Sequence, residues 1–290
     1  MNIFCTGNSK KKNFYNSLSV VSKISNKYKH SIYLDDSLYI KGLNMQKTSF
    51  ESLKKKKPFF DLIISIGGDG ALLHAIRSMG KNQKPILGIH IGDLGFLNQI
   101  NNKELVPCLN DFFSVDKLTF NEYNLLNASI KYKDASKNFH LTALNDIVIN
   151  HGNLLRLIKL QVDLNSSYLN EYSCDGIIFS TSLGSTAYSL SAGGPIVSPD
   201  INTIVLTPVS PHSLSARPIV LSDTNQIRVT FRQKYSKINI AADGQEQLTI
   251  NSEAEIYVNK SDIRAKFVQF PSMENYYSKL KNKLNWIGKN

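Results

Sequence analysis

One stretch, Asp61-Leu62-Ile63-Ile64-Ser65-Ile66-Gly67-Gly68-Asp69-Gly70, constrains the fold of this chain more than any other. It begins as a short apolar run with β-branched residues and ends in three glycines around one carboxylate. The run predicts a buried strand of a parallel sheet. Residues 71–77 then show helical spacing, with Leu72, Leu73 and Ile76 on one face. The glycines therefore fall in a strand-to-helix turn at the carboxyl end of a strand, where open α/β sheets hold ligands. Glycine there permits positive φ and lets phosphate oxygens approach the backbone. The N–H groups opening the next helix favour an anion. A carboxylate inside such a site takes a proton or holds a metal; the plainer alternative is a tight turn with Asp69 capping the helix.

A length of 290 residues leaves room for two domains and a large core. Hydrophobic content of 42% with 20% charged residues is that of a globular protein. No apolar run approaches the length of a membrane span, and the first residues are too soon broken for a signal peptide. Cys5, Cys108 and Cys174 are an odd number without metal-ligand spacing. They predict a reducing, cytoplasmic setting with neither a disulfide frame nor a zinc site. The net charge of 34 − 23 = +11 invites a nucleic-acid reading. The lysines, however, are scattered among acids, and the runs Lys10 to Lys12 and Lys54 to Lys57 sit in polar, loop-like stretches without interleaved aromatics. We therefore expect neither a nucleic-acid nor a membrane partner, only a positive surface that helps attract anionic nucleotides.

Along the chain, strands are predicted at 1–5, 31–34, 61–66 and 85–90, and helices at 13–28, 49–53 and 70–77. This alternation predicts a doubly wound, Rossmann-like parallel layer through about residue 100. The loop Ile91-Gly92-Asp93-Leu94-Gly95-Phe96-Leu97 suggests a tight crossing beside Asp69, with Leu94 and Leu97 in the core. A helix is expected over 101–113. The period then changes to alternation at 118–132, 139–150, 157–164, 167–172, 176–180, 204–208, 226–231, 238–242, 254–258 and 263–267, which predicts a β-rich second domain. Residues 186–192 form a short helix in that domain. The tail 273–287 returns to helical spacing at Tyr276, Tyr277, Leu280, Leu284 and Ile287 and is expected to pack back on the first domain. The domains so read are 1–100, 101–270 and the returning helix 271–290.

The richest second-domain segment runs from Asp175-Gly176 through Gly184-Ser185-Thr186-Ala187-Tyr188-Ser189-Leu190-Ser191-Ala192 to Gly193-Gly194-Pro195. Its hydroxyls are too many for a core strand. They suit a turn that binds a polar ligand at a helix start, with Tyr188 offering a flat ring to a base. They equally suit a Ser/Thr capping turn with Tyr188 in the core. Asn145-Asp146 can hold a ribose diol or cap a strand end. Asp243-Gly244-Gln245 reads as a hairpin turn.

Taken together and in this order, Gly67-Gly68-Asp69-Gly70, Leu94-Gly95-Phe96-Leu97, Asn145-Asp146 and the segment from Asp175 to Pro195 resemble the NAD kinase family, over most of the chain but least before residue 60. The resemblance implies phosphorylation of the adenosine ribose 2′-hydroxyl of NAD by ATP with Mg2+ or a similar divalent ion. It also implies NAD bound between an α/β and a β-rich domain of a homo-oligomer, dimer or tetramer. On this likeness Asp69 accepts the hydroxyl proton. The N–H groups around Gly68 and Gly70 hold phosphates, and His74 reaches the pyrophosphate. Asn145 and Asp146 bind the adenosine part. Asp175 binds the nicotinamide side or a neighbouring subunit's ligand. Thr186, Ala187, Tyr188, Ser189, Leu190 and Ser191 enclose the adenine, and Gln245 closes the site. Ser173 stands where some members carry Arg.

Two departures from the family pattern stand out. Thr181-Ser182-Leu183-Gly184 replaces a Thr-Pro-Thr-Gly or Thr-Pro-Ser-Gly, and Ala71 replaces Thr or Asn. A lipid kinase of the diacylglycerol type shares the glycine loop but not the Thr186 to Ser191 segment. A non-catalytic dinucleotide sensor would need no carboxylate at position 69.

Overall fold

The structure is a computed structural model that describes residues 1–38, 46–51, 60–92, 95–115, 117–134, 137–152 and 157–286. The expectations for Leu53, the run Lys54 to Lys57, Leu94 and Ile287 lie outside these residues. The chain divides into two compact units, Met1–Glu122 with Ala265–Asn290, and Tyr123–Arg264.

The first unit contains β1 (Asn2–Gly7), α1 (Phe14–Lys27), β2 (Ser31–Asp35), β3 (Gln46–Thr48), β4 (Leu62–Gly67), α2 (Asp69–Met79), β5 (Pro85–His90), β6 (Ile100–Asn101) and α3 (Leu105–Ser114). Its strands lie in the order β5-β4-β1-β2-β3, all parallel. The chain builds outward from β1 in one direction and then, from β4, in the other. The carboxyl ends of β1 and β4 therefore flank a topological switch point, the place where such sheets hold ligands. All six residues of β4 are buried, as the unbroken apolar run predicts. The core joins Ile3, Cys5, Ile64, Ile66, Leu87 and Ile89 of the strands to Phe14, Leu18 and Val21 of α1.

The division between the units falls later than residue 100 because α3 is an apolar-faced helix. Leu105, Leu109, Phe112 and Phe113 are buried in the first unit's core. At roughly 1.5–3 kcal/mol per buried side chain of this size, that face keeps the helix where it is.

The second unit is built from antiparallel strands. β7 (Thr119–Lys131) enters it, followed by β8 (Phe139–Ala143), β9 (Asp146–His151), β10 (Ile158–Leu164), β11 (Ser167–Cys174) and β12 (Gly176–Thr181). A 3-10 turn, Leu183–Thr186, leads to the short helix α4 (Tyr188–Ser191). Then come β13 (Thr203–Val209), β14 (Ile219–Ser222), β15 (Ile227–Phe231), β16 (Ile238–Ala242), β17 (Glu246–Ile250) and β18 (Glu255–Gln269). One sheet runs β14-β13-β12-β9-β16-β17; another runs β11-β10-β15-β18, with β7 on β18 and β8 on β7. Alternate residues of the strands, among them Leu160, Val162, Val229, Ile238 and Ile240, fill one core.

Three features depart from the periodicity. β3, β14 and β17 were not expected, being short or poor in apolar alternation. The expected strand 139–150 is two strands, broken at Leu144 and Asn145, whose N–H groups turn to the Asp243 carboxylate. The expected strands 254–258 and 263–267 are one, β18, whose end pairs Lys266 and Phe267 in parallel with Pro85 and Ile86 of the first unit. The C-terminal helix α5 (Tyr276–Lys283) belongs to the first unit.

Candidate active site

In the first unit, Gly68 is the N-cap of α2 and Asp69 its first residue. The three glycines are not there for positive φ: Gly67, Gly68 and Gly70 all avoid it, and Gly68 is extended at φ −93° and ψ −176°. Space is the reason instead. A Cβ at Gly67 would lie 2.6 Å from the Ala71 Cβ, so strand and helix pack closely there. A Cβ at Gly68 would meet nothing within 4 Å, which leaves the backbone open at the switch point.

Asp69 is half-buried and does not cap its helix through its side chain. Its carboxylate is held from the following loop. Oδ2 accepts from the Phe96 N–H at 2.7 Å; Oδ1 accepts from the Leu97 N–H at 3.3 Å and from Asn98 Nδ2 at 2.7 Å. A carboxylate has about four acceptor positions. The described donors fill three, two of them on Oδ1, and the direction left over belongs to Oδ2. Gly95 makes this possible, because a Cβ there would lie 1.9 Å from Asp69 Oδ1. The loop is itself fixed from below: Gly95 N–H points at His90 Nδ1 at 3.4 Å, and Gln99 exchanges bonds with Gly88. The glycine-bearing loop after β5 is thus the clamp on Asp69. His74 is exposed on α2, with Nε2 3.4 Å from Ser78 Oγ and its ring edge-on to Phe50.

In the second unit, Asn145, Asp146, the Gly184 turn, Tyr188 and the Asp243-Gly244-Gln245 turn come together. Asp243 and Gly244 take φ of 51° and 64°, the left-handed pair that a tight hairpin requires. The Asp243 carboxylate then accepts from the N–H groups of Leu144, Asn145 and Asp146 at 3.1, 2.7 and 3.3 Å. Gly184 approaches Asn145 so closely that a Cβ would lie 2.1 Å from its carbonyl oxygen. Thr181 ties the two segments: its N–H donates to Asn145 O, its hydroxyl donates to Leu144 O, and Gly184 N–H donates to that hydroxyl. Asp146, only 4% exposed, has its carboxyl pushed up to about 7 by burial first and by the Asp243 charge second, against the Tyr188 N–H.

The hydroxyls of the turn divide into two kinds. Ser185 donates to Ser182 O and accepts from Val197 N–H, and Ser189 shares a bond with Thr207; both are fully buried. These build the turn. Thr186, Ala187 and Leu190 are half-buried and Ser191 is exposed. Tyr188 is 47% exposed, so its ring stands clear of the core. Ser182 takes φ −56°, within the range a proline would impose, and its hydroxyl bonds Ile201 O and Thr203 Oγ1. The missing proline is replaced by hydrogen bonds. Gln245 is exposed in its turn, where its N–H donates to Ala242 O. Ser173 and Asp175 are tied to the segment around β13 instead: His212 N–H donates to Ser173 O, and Asp175 N–H donates to Val209 O.

Sequence reasoning missed Asn98, Asp243 and Lys279. Asn98 directly follows the Leu94 to Leu97 motif, and that adjacency was its signal. Asp243 was hidden by reading an Asp-Gly pair only as a turn.

Comparison with known proteins agrees with the geometry. The profile of the ATP-NAD kinase N-terminal domain matches residues 5–117, and that of the ATP-NAD kinase C-terminal domain matches 144–270. An NAD kinase of Syntrophotalea carbinolica is 36% identical over 230 residues, 78% of each chain. One of Flavobacterium johnsoniae is 33% identical over 274 residues, 94% of this chain and 90% of that one. Yeast NADH kinase complexed with NADH superposes with a TM-score of 0.86 at 25% identity, covering 100% of this chain and 88% of that one. An NAD kinase from Archaeoglobus fulgidus in complex with ATP shares the fold, with a TM-score of 0.77 at 23% identity over 99% and 100% of the two chains. With both domain profiles in sequence and both signature loops built as described, the chain belongs to the NAD kinase family.

Proposed function

We propose that this protein transfers the γ-phosphoryl group of ATP to the 2′-hydroxyl of the adenosine ribose of NAD, giving NADP and ADP. One observation carries the reading: a half-buried carboxylate, Asp69, held by three donors at the carboxyl end of β4, with the remaining direction on Oδ2. In the proposed step Asp69 Oδ2 takes the proton of the 2′-hydroxyl. The ribose 2′-oxygen then bonds the γ-phosphorus as the bond from that phosphorus to the bridging oxygen of the β-phosphate breaks, and ADP leaves. Phosphoryl transfer depends mostly on positioning and on neutralising charge. The N–H groups of Gly68 and Gly70 and the α2 N-terminus suit phosphate oxygens.

The second-unit cluster suits the adenosine part of NAD. Asn145 and Asp146 offer an amide and a carboxyl that keeps its proton up to about pH 7, so it can donate as well as accept. The exposed Tyr188 ring suits stacking on adenine, beside Thr186, Ala187, Leu190 and Ser191. Ser189 supports them from within. Asp175, Ser173, His74 and Gln245 are assigned to the rest of the dinucleotide on the family likeness. Among the described residues no three His, Cys, Asp or Glu gather to hold a metal ion. The family likeness implies a divalent cation with the phosphate donor; it would arrive on the ATP phosphates, as Mg2+ does when it keeps few protein ligands. A homo-oligomer and a cytoplasmic location complete the reading. The first rests on the family likeness, the second on three buried free cysteines, two of them with thiols pushed up to about 12 by burial.

The test is purified protein with ATP, Mg2+ and NAD, followed by coupled detection of NADP. NADP formation dependent on the triphosphate is the expected result. Dinucleotide binding without product, across donors and metals, would put the sensor reading first.

A further inference from the structure

We propose that Lys279, on the C-terminal helix α5, is a positioning residue for Asp69; this rests on Asp69 being the base. Lys279 is only 7% exposed, and a lysine is rarely buried so far unless its charge is paired. Its ammonium donates to the Asn98 carbonyl at 2.6 Å, and the Asn98 amide donates to Asp69 Oδ1 at 2.7 Å. One turn further along α5, Lys283 Nζ stands 5.7 Å over the Phe96 ring, and the Phe96 N–H donates to Asp69 Oδ2. The helix thus grips the clamp loop at the two residues that make the shortest bonds to the carboxylate, one on each oxygen.

An apolar residue would fill the same space at less cost, since burial opposes the Lys279 charge and lowers its pKa. The charges of Glu274 and Asp69 favour the ammonium in return. What the lysine supplies, and a leucine could not, is a bond that fixes where the Asn98 backbone sits. It is from that position that the amide of Asn98 reaches Asp69. A carboxylate displaced by an ångström loses roughly 10²-fold in rate when it must meet a proton in one geometry. On this account α5 acts on the catalytic step through the loop that holds Asp69.

The experiment compares Lys279→Met, Lys279→Arg, Asp69→Asn and the double variant Asp69→Asn with Lys279→Met. We expect Lys279→Met to lower kcat by about tenfold or more while KM for NAD stays within about threefold, the split of an interaction that matters only in the transition state. Lys279→Arg keeps a donor and should recover most of the loss. The double variant should be no slower than Asp69→Asn, because both changes act through one group. If Lys279→Met does not fold, as judged by circular dichroism and thermal melting, Lys279→Gln takes its place with the same expected split, because its amide ends one bond short of the lysine nitrogen that reaches the Asn98 carbonyl. Wild-type kcat in a folded Lys279→Met, or equal losses in kcat and NAD binding with no recovery in Lys279→Arg, would overturn the proposal. If Asp69→Asn is inactive while Lys279→Met is normal, only the role of Lys279 fails. If Asp69→Asn is itself fully active, the reading of Asp69 fails and this proposal with it.

Discussion

Asp69 in the first unit and Asp146 in the second are the same side chain in opposite settings. Asp69 opens a helix, is half-buried, takes three hydrogen bonds from one loop and lies within the field of the Lys279 ammonium. Asp146 opens a strand, is buried, receives the Tyr188 N–H and faces a second carboxylate, Asp243, which has taken the nearby backbone donors for itself. The first arrangement holds a carboxylate in one direction. The second suits a neutral carboxyl able to donate. A carboxylate's role is thus decided by which donors reach it and which charge stands beside it, not by its identity.

The contrast breaks most readily at Asp69. Asp69→Asn keeps the size and loses the base, so kcat should fall by roughly 10²–10⁴-fold with NAD affinity within a few-fold, measured by steady-state kinetics and calorimetry. Restoration by extra Mg2+ or by Mn2+ would make Asp69 a metal ligand. Collapse of NAD binding along with kcat would make it a ribose anchor.

At Asp146 the readout is stability against pH. Its folded-state pKa, about 7, lies above the ordinary carboxyl value of 3.8. The folded protein therefore binds the proton more tightly than the unfolded chain does. The resulting stabilisation is complete below about pH 3.8 and is lost as pH rises through 7. At 1.36 kcal/mol per unit the loss is at most about 4 kcal/mol. Asp146→Asn should flatten the fall in Tm between pH 5 and 8. An unchanged slope would mean that Asp146 does not titrate as a buried neighbour of Asp243.

The ring and the backbone of Tyr188 separate two effects. Tyr188→Ala should weaken NAD binding by roughly 1–3 kcal/mol, the worth of a stacked base. It should leave the pH dependence of Tm alone, because the N–H that reaches Asp146 remains. Tyr188→Phe should bind nearly as well as wild type; if it is as damaging as alanine, the hydroxyl and not the ring makes the contact.

The smallest effect belongs to Ser182. Ser182→Ala removes the bonds to Ile201 and Thr203 and should cost about 1 kcal/mol, read as a Tm lower by roughly 2–4 °C. Ser182→Pro, at φ −56°, should recover part of it. A larger loss on proline would show that the hydroxyl does more than replace a stiff ring.

The sequence by itself determined the elements and the kind of site. An apolar run such as residues 62–66 has few ways to be buried other than as an inner strand, and Gly67-Gly68-Asp69-Gly70 after it places a carboxylate at a strand's end. Alternation after residue 118 determined the β-rich character of the rest, because a period of two exposes one face and buries the other. Only the tertiary structure decided what surrounds each carboxylate. Asp69 meets Asn98, 29 positions away, and through it Lys279, 181 positions further on; Asp146 meets Asp243, 97 positions away. Local pattern carries no record of such pairs. A lysine on a helix reads as solvated, and an Asp-Gly pair reads as a turn, until packing removes the water and gives each its partners. Hydrogen bonds act at about 3 Å and charge effects over about 10 Å, so the chemistry of both sites is set by distance in space, which the order of residues does not contain.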